Sequence, residues 1–151
     1  MMINTVSKLE ALLQSVPQRF REFDHDEIVH PRLEGKWSRL QILGHLCDSA
    51  INNLSRFIQL YNQVEPILIT PYNQEIWVEA QQYIAAPPED VIRLWLGLNQ
   101  SIVRVISNLS ETSLSRPCQL PSGNIVTMEW LIQDYFEHME HHLQQIFTED
   151  N

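Results

Sequence analysis

The sequence Lys36–Asn62, KWSRLQILGHLCDSAINNLSRFIQLYN, carries the clearest helical pattern in the chain. Ser38 and Gln41 have the spacing of a capping box, in which each side chain bonds a free backbone N–H, so we predict that a helix begins at Ser38. It is predicted to end near Asn62, because two prolines follow closely. Its apolar residues recur in steps of three and four, the seam of antiparallel helix packing: Leu40, Leu43, Cys47, Ala50, Leu54, Phe57 and Tyr61.

A first helix precedes this one, because apolar residues at helical spacing extend from about Asn4 to Phe23. Pro17 lies inside it and predicts a kink or break near Val16, since proline cannot donate the interior hydrogen bond. The connection from Asp24 to Lys36 contains a proline and a glycine, so it is predicted to be a loop.

Two more long helices are predicted towards the C-terminus. The third begins after Pro87-Pro88 and runs from about Glu89 to Leu109, with Arg93, Asn99 and Asn108 outside its apolar face. The fourth begins at about Thr127 as the N-cap residue. It is predicted to bury Met128, Leu131, Ile132, Tyr135, Phe136, Met139, Leu143 and Ile146.

Weaker signals fill the connections between these helices. A β-branched stretch, Ile67–Thr70, and a short helix from Asn73 to Tyr83 lie in the long connector between helices two and three. The turn Leu120–Asn124, flanked by alternating residues, predicts a small hairpin before helix four. Four amphipathic helices in residues 1–151 predict a single all-α domain, a four-helix bundle.

The composition excludes several classes of function. The formal net charge is −9, so the surface repels the phosphates of nucleic acids and anionic lipids. No apolar run approaches the roughly 20 residues that span a bilayer. Cys47 and Cys118 are far apart and the N-terminus lacks the pattern of a signal peptide, so we expect a cytoplasmic protein without a disulfide framework.

Histidines are the residues that indicate chemistry. His138 and His142 lie four residues apart on the fourth helix and can converge on one cation, although an ordinary surface pair has the same spacing. His45 lies opposite the seam of the second helix, so its face is either solvent-exposed or turned towards a cleft. Three histidines would leave coordination positions for water, as in catalytic sites.

Other residues are candidates for supporting roles. Asp48, one turn after His45, could orient an imidazole or a bound water, although such a carboxylate is more often at the surface. Tyr72 and Trp77 in the long connector could form the wall of a substrate pocket, or simply anchor the loop to the core. Neither cysteine is assigned to the site.

Three ordered blocks of this sequence resemble the DinB-like metal-binding family, in particular the branch with bacillithiol-transferase-like enzymes and metal-dependent hydrolases. The first block joins Lys36-Trp37-Ser38, Gly44-His45-Leu46-Cys47-Asp48-Ser49 and Arg56-Phe57. The second is Ile69-Thr70-Pro71-Tyr72 with Trp77, and the third is the stretch from His138 to Ile146. Ala50 and Glu137 depart from the residues usual at those positions.

The resemblance implies a four-helix bundle, commonly a homodimer, in which His45, His138 and His142 hold a divalent cation, zinc or nickel. Asp48 would then lie beside the metal ligands, His141 would either lie there too or be an ordinary solvated residue, and Tyr72 and Trp77 would contact a small-molecule substrate. The expected function is a metal-dependent hydrolase or a transferase that uses a low-molecular-weight thiol. The alternative is a metal- or small-molecule-binding bundle without catalysis, because family members differ widely in reaction.

Overall fold

A computed structural model of the chain describes residues 2–148. Four long helices form a bundle, as the sequence predicts, and shorter elements fill the connections between them. The helices are α1 (Met2–Arg21), α2 (His25–Val29), α3 (Arg39–Gln59), α4 (Gln74–Gln81), α5 (Pro88–Ser107), α6 (Glu111–Leu114) and α7 (Met128–Phe147), with a 3-10 turn at Tyr83–Ala85. The strands are β1 (Ile67–Leu68), β2 (Pro117–Gln119) and β3 (Ile125–Thr127).

The capping box at the start of α3 is confirmed. Ser38 Oγ accepts from the Gln41 backbone N–H at 3.2 Å, and the Ser38 N–H donates to Gln41 Oε1 at 2.9 Å. Most of the seam is buried, but Leu54 is half-buried and Tyr61 is 64% exposed. Tyr61 leaves the seam because α3 ends at Gln59, earlier than predicted.

Two of the long helices, α5 and α7, each contact both of the others. α3 packs against α5 and α7, and α1 packs against the same two helices. The bundle is therefore closed through α5 and α7, and the successive long helices α1 and α3 are held together mainly by them. Among residues 2–148, no helix has both the length and the hydropathy that crossing a lipid bilayer requires.

Two local predictions near the N-terminus are wrong: the break at Pro17, which was predicted as the alternative to a kink, and the loop from Asp24 to Lys36. Pro17 does not break α1, which continues to Arg21 because Val16, Pro17 and Phe20 are all buried against the bundle. This burial offsets the hydrogen bond that proline cannot donate. The segment predicted as a loop also contains α2, whose start is stabilised by a hydrogen bond from the Asp24 N–H to Glu27 Oε1 at 2.9 Å.

A small sheet anchors the long connector. The hairpin is confirmed, since β2 and β3 pair antiparallel with Cys118 opposite Val126. In addition, β1 pairs parallel with β2, with Ile67 opposite Cys118. This second pairing was not predicted, and it fixes the connector beside the C-terminal half of α3.

Asn99 contradicts its predicted position outside the core. Its side chain is fully buried in α5, where Nδ2 donates to the Trp95 carbonyl at 2.9 Å and Oδ1 accepts from Tyr135 O–H at 2.5 Å. A buried amide is tolerated when its donors and acceptors are satisfied. Asn99 therefore links α5 to α7 through the core.

Candidate metal centre

The packing of α3 against α7 brings the three histidines together. The two helices run antiparallel. Arg39, at the start of α3, donates to the Ile146 carbonyl near the end of α7. Phe57, near the end of α3, contacts the ring of Tyr135 in the first half of α7. His45 lies in the first half of α3, so this orientation places it opposite the C-terminal half of α7. His138 and His142 lie there, one turn apart on the same face.

The geometry of the three rings suits a single cation. One nitrogen from each of His45, His138 and His142 lies within 4.8 Å of the other two. The Nε2 atoms of His138 and His142 are 3.1 Å apart, close to the roughly 3.3 Å between two nitrogens that bind one zinc ion tetrahedrally. The ring centroids of His45 lie 5.3 Å from His138 and 4.7 Å from His142.

His45 is fully buried, so the solvent-exposed alternative for its face is wrong. Neither ring nitrogen has a hydrogen-bond partner among the described residues. Burying unsatisfied polar atoms is costly, so these two nitrogens require partners that are not protein side chains. A divalent cation at the three rings would satisfy one of them, which shows that the donor set fits such a group.

All three histidines are held neutral. Burial, together with the neighbouring imidazoles, lowers the pKa of His45 to about 3 and that of His138 to about 4. Burial also lowers the pKa of His142, although its hydrogen bond to Gln145 acts in the opposite direction. Neutral rings keep a lone pair for a metal ion at neutral pH.

Three neighbouring side chains shape the centre. Gln145 Oε1 lies 2.8 Å from His142 Nδ1; because that oxygen can only accept, Nδ1 carries the proton and Nε2 keeps its lone pair for the centre. The ring of Trp37 lies 4.9 Å from that of His45 and covers it. His141 is exposed, with its ring 5.4 Å from that of His142, so it lies at the outer rim.

Asp48 is also fully buried, so the alternative of an ordinary surface carboxylate is wrong. Its Oδ1 accepts from Tyr83 O–H at 2.7 Å and from Gln81 Nε2 at 3.1 Å, whereas Oδ2 has no hydrogen-bond partner among the described residues. Burial raises the pKa of Asp48, and the two hydrogen bonds oppose that rise. The free oxygen is thus a buried acceptor one turn of α3 from His45.

Tyr72 and Trp77 pack against each other and not against the histidines. Their ring centroids are 6.0 Å apart, and Tyr72 also makes a side-chain hydrogen bond with Ser49. Both rings are half-buried. Tyr72 lies beside Ser49 and Arg56 of α3, and it borders a polar strip on that helix that consists of Asp48, Ser49, Asn52 and Arg56.

The sequence reasoning missed four residues around the centre: Trp37, Gln81, Tyr83 and Gln145. One signal for Tyr83 was present, because a glycine inside a strongly apolar helix usually has a packing reason. A Cβ added to Gly44 would overlap the Tyr83 ring. Gly44 therefore admits that ring next to α3 and lets its hydroxyl reach Asp48.

Comparison with known proteins finds relatives that match nearly the whole chain. The sequence pattern of the DinB superfamily matches residues 8–146. BH0277 of Halalkalibacterium halodurans, assigned by name as a metal-dependent hydrolase, is 29% identical over 140 residues, covering 93% of this chain and 77% of its own. YfiT of Bacillus subtilis, assigned in the same way, is 25% identical over 140 residues, 89% of this chain and 78% of its own.

Solved structures share the fold. The structure of Bacillus subtilis YfiT, which is described as having an unusual four-helix bundle topology, superposes with a TM-score of 0.86 at 24% identity, covering 96% of this chain and 83% of that one. A mycothiol-dependent maleylpyruvate isomerase superposes with a TM-score of 0.73 at 14% identity, covering 95% and 60%. With the superfamily pattern matched over nearly its whole length, the chain belongs to the DinB superfamily.

Proposed function

We propose that this protein is a metal-dependent enzyme whose divalent cation is held by His45, His138 and His142. The observation that carries the proposal is the convergence of three neutral imidazoles within 4.8 Å, one of them buried with both nitrogens unsatisfied. The relatives assigned by name as metal-dependent hydrolases support the same chemistry. The donor set of three imidazole nitrogens is suited to zinc or nickel.

A divalent cation bound by three uncharged ligands would supply a Lewis acid that lowers the pKa of a water or thiol beside it. The protein side chains perform the remaining tasks. His45 and Trp37 exclude solvent from the inner side of the centre, and Gln145 orients the His142 ring. Asp48, held through Oδ1, offers Oδ2 as a proton acceptor or an orienting group, and His141 is a candidate for proton exchange at the rim.

The reaction we propose is either hydrolysis or the transfer of a low-molecular-weight thiol to an electrophilic small molecule. Hydrolysis is supported by the names of the curated relatives, and thiol chemistry by the mycothiol-dependent isomerase with the same fold. Tyr72 and Trp77 are proposed to contact the substrate. We also propose a cytoplasmic homodimer that binds neither nucleic acid nor membranes, in keeping with its charge of −9.

Metal content and activity measured together test this proposal. Protein loaded with zinc or nickel should contain one ion per chain by mass spectrometry, and it should convert an ester, an amide or a thiol–electrophile pair. His45→Ala and His142→Ala should lose both the ion and the activity, whereas the control His141→Ala should keep the ion. Stoichiometric metal without any turnover would instead favour a binding bundle, and no metal at all would reject the proposal.

A further inference from the structure

Arg56 is a half-buried cation on α3 that is surrounded by neutral partners. Its Nη2 donates to the Thr70 carbonyl at 2.6 Å, and its Nη1 lies 3.4 Å from Asn53 Oδ1. The guanidinium carbon is 5.7 Å from the centre of the Tyr72 ring. Within residues 2–148, no carboxylate forms an ion pair with Arg56.

Carboxylates are abundant in this chain, which has 19 acidic residues for 10 lysines and arginines, and some of its other arginines do pair with one. Arg116 makes a comparable contact with a backbone carbonyl, that of Gln63 at 2.7 Å, but its Nε also meets Glu65 Oε1 at 3.0 Å. Arg21 is likewise paired with Glu89. Burial lowers the pKa of Arg56, which agrees with a guanidinium whose charge no neighbouring carboxylate compensates.

Arg56 lies on the same face of α3 as His45. The two residues are separated by three helical turns, about 16 Å along the axis, with a rotation of only about 20°. Long side chains lean towards the N-terminal end of a helix, and the contact with Asn53 shows that Arg56 does so. Its guanidinium is therefore on the order of 10 Å from the histidines, along the polar strip bordered by Tyr72.

The free donors of Arg56 suit a specific kind of ligand. Two of its five N–H groups are used by Thr70 and Asn53. The remaining donors can bind both oxygens of one carboxylate, the pairing that the planar guanidinium fork favours. The neutral contacts hold the fork in place without neutralising it.

We propose that Arg56 is the subsite for a carboxylate at the far end of an elongated small-molecule substrate whose reacting atom lies at the three histidines. This inference rests on the proposed function, since it uses the metal centre as the other end of the substrate. Arg56 also fastens the connector to α3 through Thr70, and that structural role alone would not discriminate between charged and neutral ligands. Discrimination between the two is therefore the property to measure.

The experiment compares matched ligands on the zinc-loaded protein by calorimetry. The probes are mercaptohexanoate, mercaptooctanoate and mercaptoundecanoate, each paired with the mercapto alcohol of the same length. The wild type should bind the best-fitting acid at least about tenfold more tightly than its alcohol, because a hydrogen bond between charged groups is lost in the alcohol. Arg56→Gln should abolish this preference while leaving the affinity for the alcohol unchanged.

Two further variants separate recognition from folding. Arg56→Lys, which keeps the charge without the planar fork, should show an intermediate preference. Arg104→Gln, at an exposed arginine of α5 that donates to Ser101 Oγ at 2.9 Å, should bind both probes like the wild type. A melting temperature measured for each variant shows whether the connector has loosened.

The outcomes distinguish the subsite from the proposed function. Equal binding of acid and alcohol by the wild type, or a preference that persists in Arg56→Gln, would overturn the subsite and leave the metal chemistry untouched. A parallel loss of affinity for both probes in Arg56→Gln would also overturn it, because only the structural role would then remain. Arg56-dependent binding of the acid with no binding of any neutral thiol would support the subsite and count against thiol chemistry at the histidines.

Discussion

The burial of His45 sets how the centre responds to acid. Protons compete with a metal ion for imidazole nitrogens, and three ordinary histidines with pKa values near 6.5 would together lose roughly a thousandfold in metal affinity on going from about pH 7.5 to pH 5.5. In this protein the pKa of His45 is lowered to about 3 and that of His138 to about 4. Competition by protons therefore begins at a lower pH.

We accordingly predict that zinc affinity falls by less than about tenfold over the same interval, with the remaining loss arising mainly at His142. Competition with a chromophoric chelator at the two pH values measures this, and circular dichroism checks that the protein stays folded. A loss near a thousandfold would show that the rings are not desolvated as the structure indicates.

A substitution of Tyr83 tests the hydrogen bond that its hydroxyl donates to the buried Asp48 carboxylate. Tyr83→Phe removes the hydrogen bond to Oδ1 and should lower the free energy of unfolding by about 1–3 kcal/mol at pH 7. The bond stabilises the ionised carboxylate, so the mutation raises the pKa of Asp48 further, and the penalty should shrink as the pH falls and Asp48 becomes protonated.

Urea unfolding at neutral and acidic pH provides that measurement. The control is Tyr61→Phe, at a tyrosine that is 64% exposed, which should change stability by less than about 0.5 kcal/mol. Equal effects of the two mutations, or a Tyr83→Phe penalty that grows towards acidic pH, would contradict the proposed hydrogen bond.

At the scale of the elements, the packing of α3 depends on the close approach of the Tyr83 ring to Gly44. Gly44→Ala places a Cβ in the space of the Tyr83 ring, so it should lower stability by about 1–3 kcal/mol and displace the Tyr83 hydroxyl from Asp48. Gly97→Ala, in an open position of α5, should instead raise stability by roughly 0.5–1 kcal/mol. Thermal unfolding of both variants checks the pair, and a stabilising Gly44→Ala would refute the tight contact.

The same elements show what a sequence can and cannot predict. Each long helix buries one face, so its apolar residues recur at helical spacing and can be recognised from neighbouring positions in the sequence. The start of α3 could be predicted from Ser38 and Gln41 alone. The pairing of β1 with β2 joins two- and three-residue strands that are distant in the chain, and no local pattern marks it. The burial of Asn99 depends on Tyr135 of another helix for the same reason.

For the whole molecule, the proposed cation would join α3 to α7 and so stabilise the bundle. A ligand that binds only the folded state adds about 2.7 kcal/mol when its free concentration is one hundred times the dissociation constant. We predict that zinc raises the free energy of unfolding by about this amount in the wild type and in His141→Ala. Denaturant unfolding at a fixed concentration of free zinc measures it. A similar rise in His45→Ala would indicate that zinc binds elsewhere.

At this scale the site could be predicted only in part. The four-residue spacing of His138 and His142 identifies a pair, whereas the position of His45 depends on which helix packs against its face. The sequence of α3 makes His45 a candidate third ligand but leaves its face either exposed or turned towards a cleft, and the resemblance to the DinB-like family favours the second alternative. The supports from Gln81 and Tyr83 were missed because both belong to the connector, which is placed by the unpredicted sheet.

X-ray absorption at the zinc edge tests the central claim most directly, because it reads the ligands of the ion itself. Protein loaded with one zinc ion per chain should show three imidazole nitrogens at about 2.0–2.1 Å, with oxygen ligands completing the coordination. His45→Ala, loaded under the same conditions, should lose one imidazole or fail to retain the ion. A zinc ion with fewer than three imidazoles in the wild type, or with a cysteine sulfur among its ligands, would contradict the account.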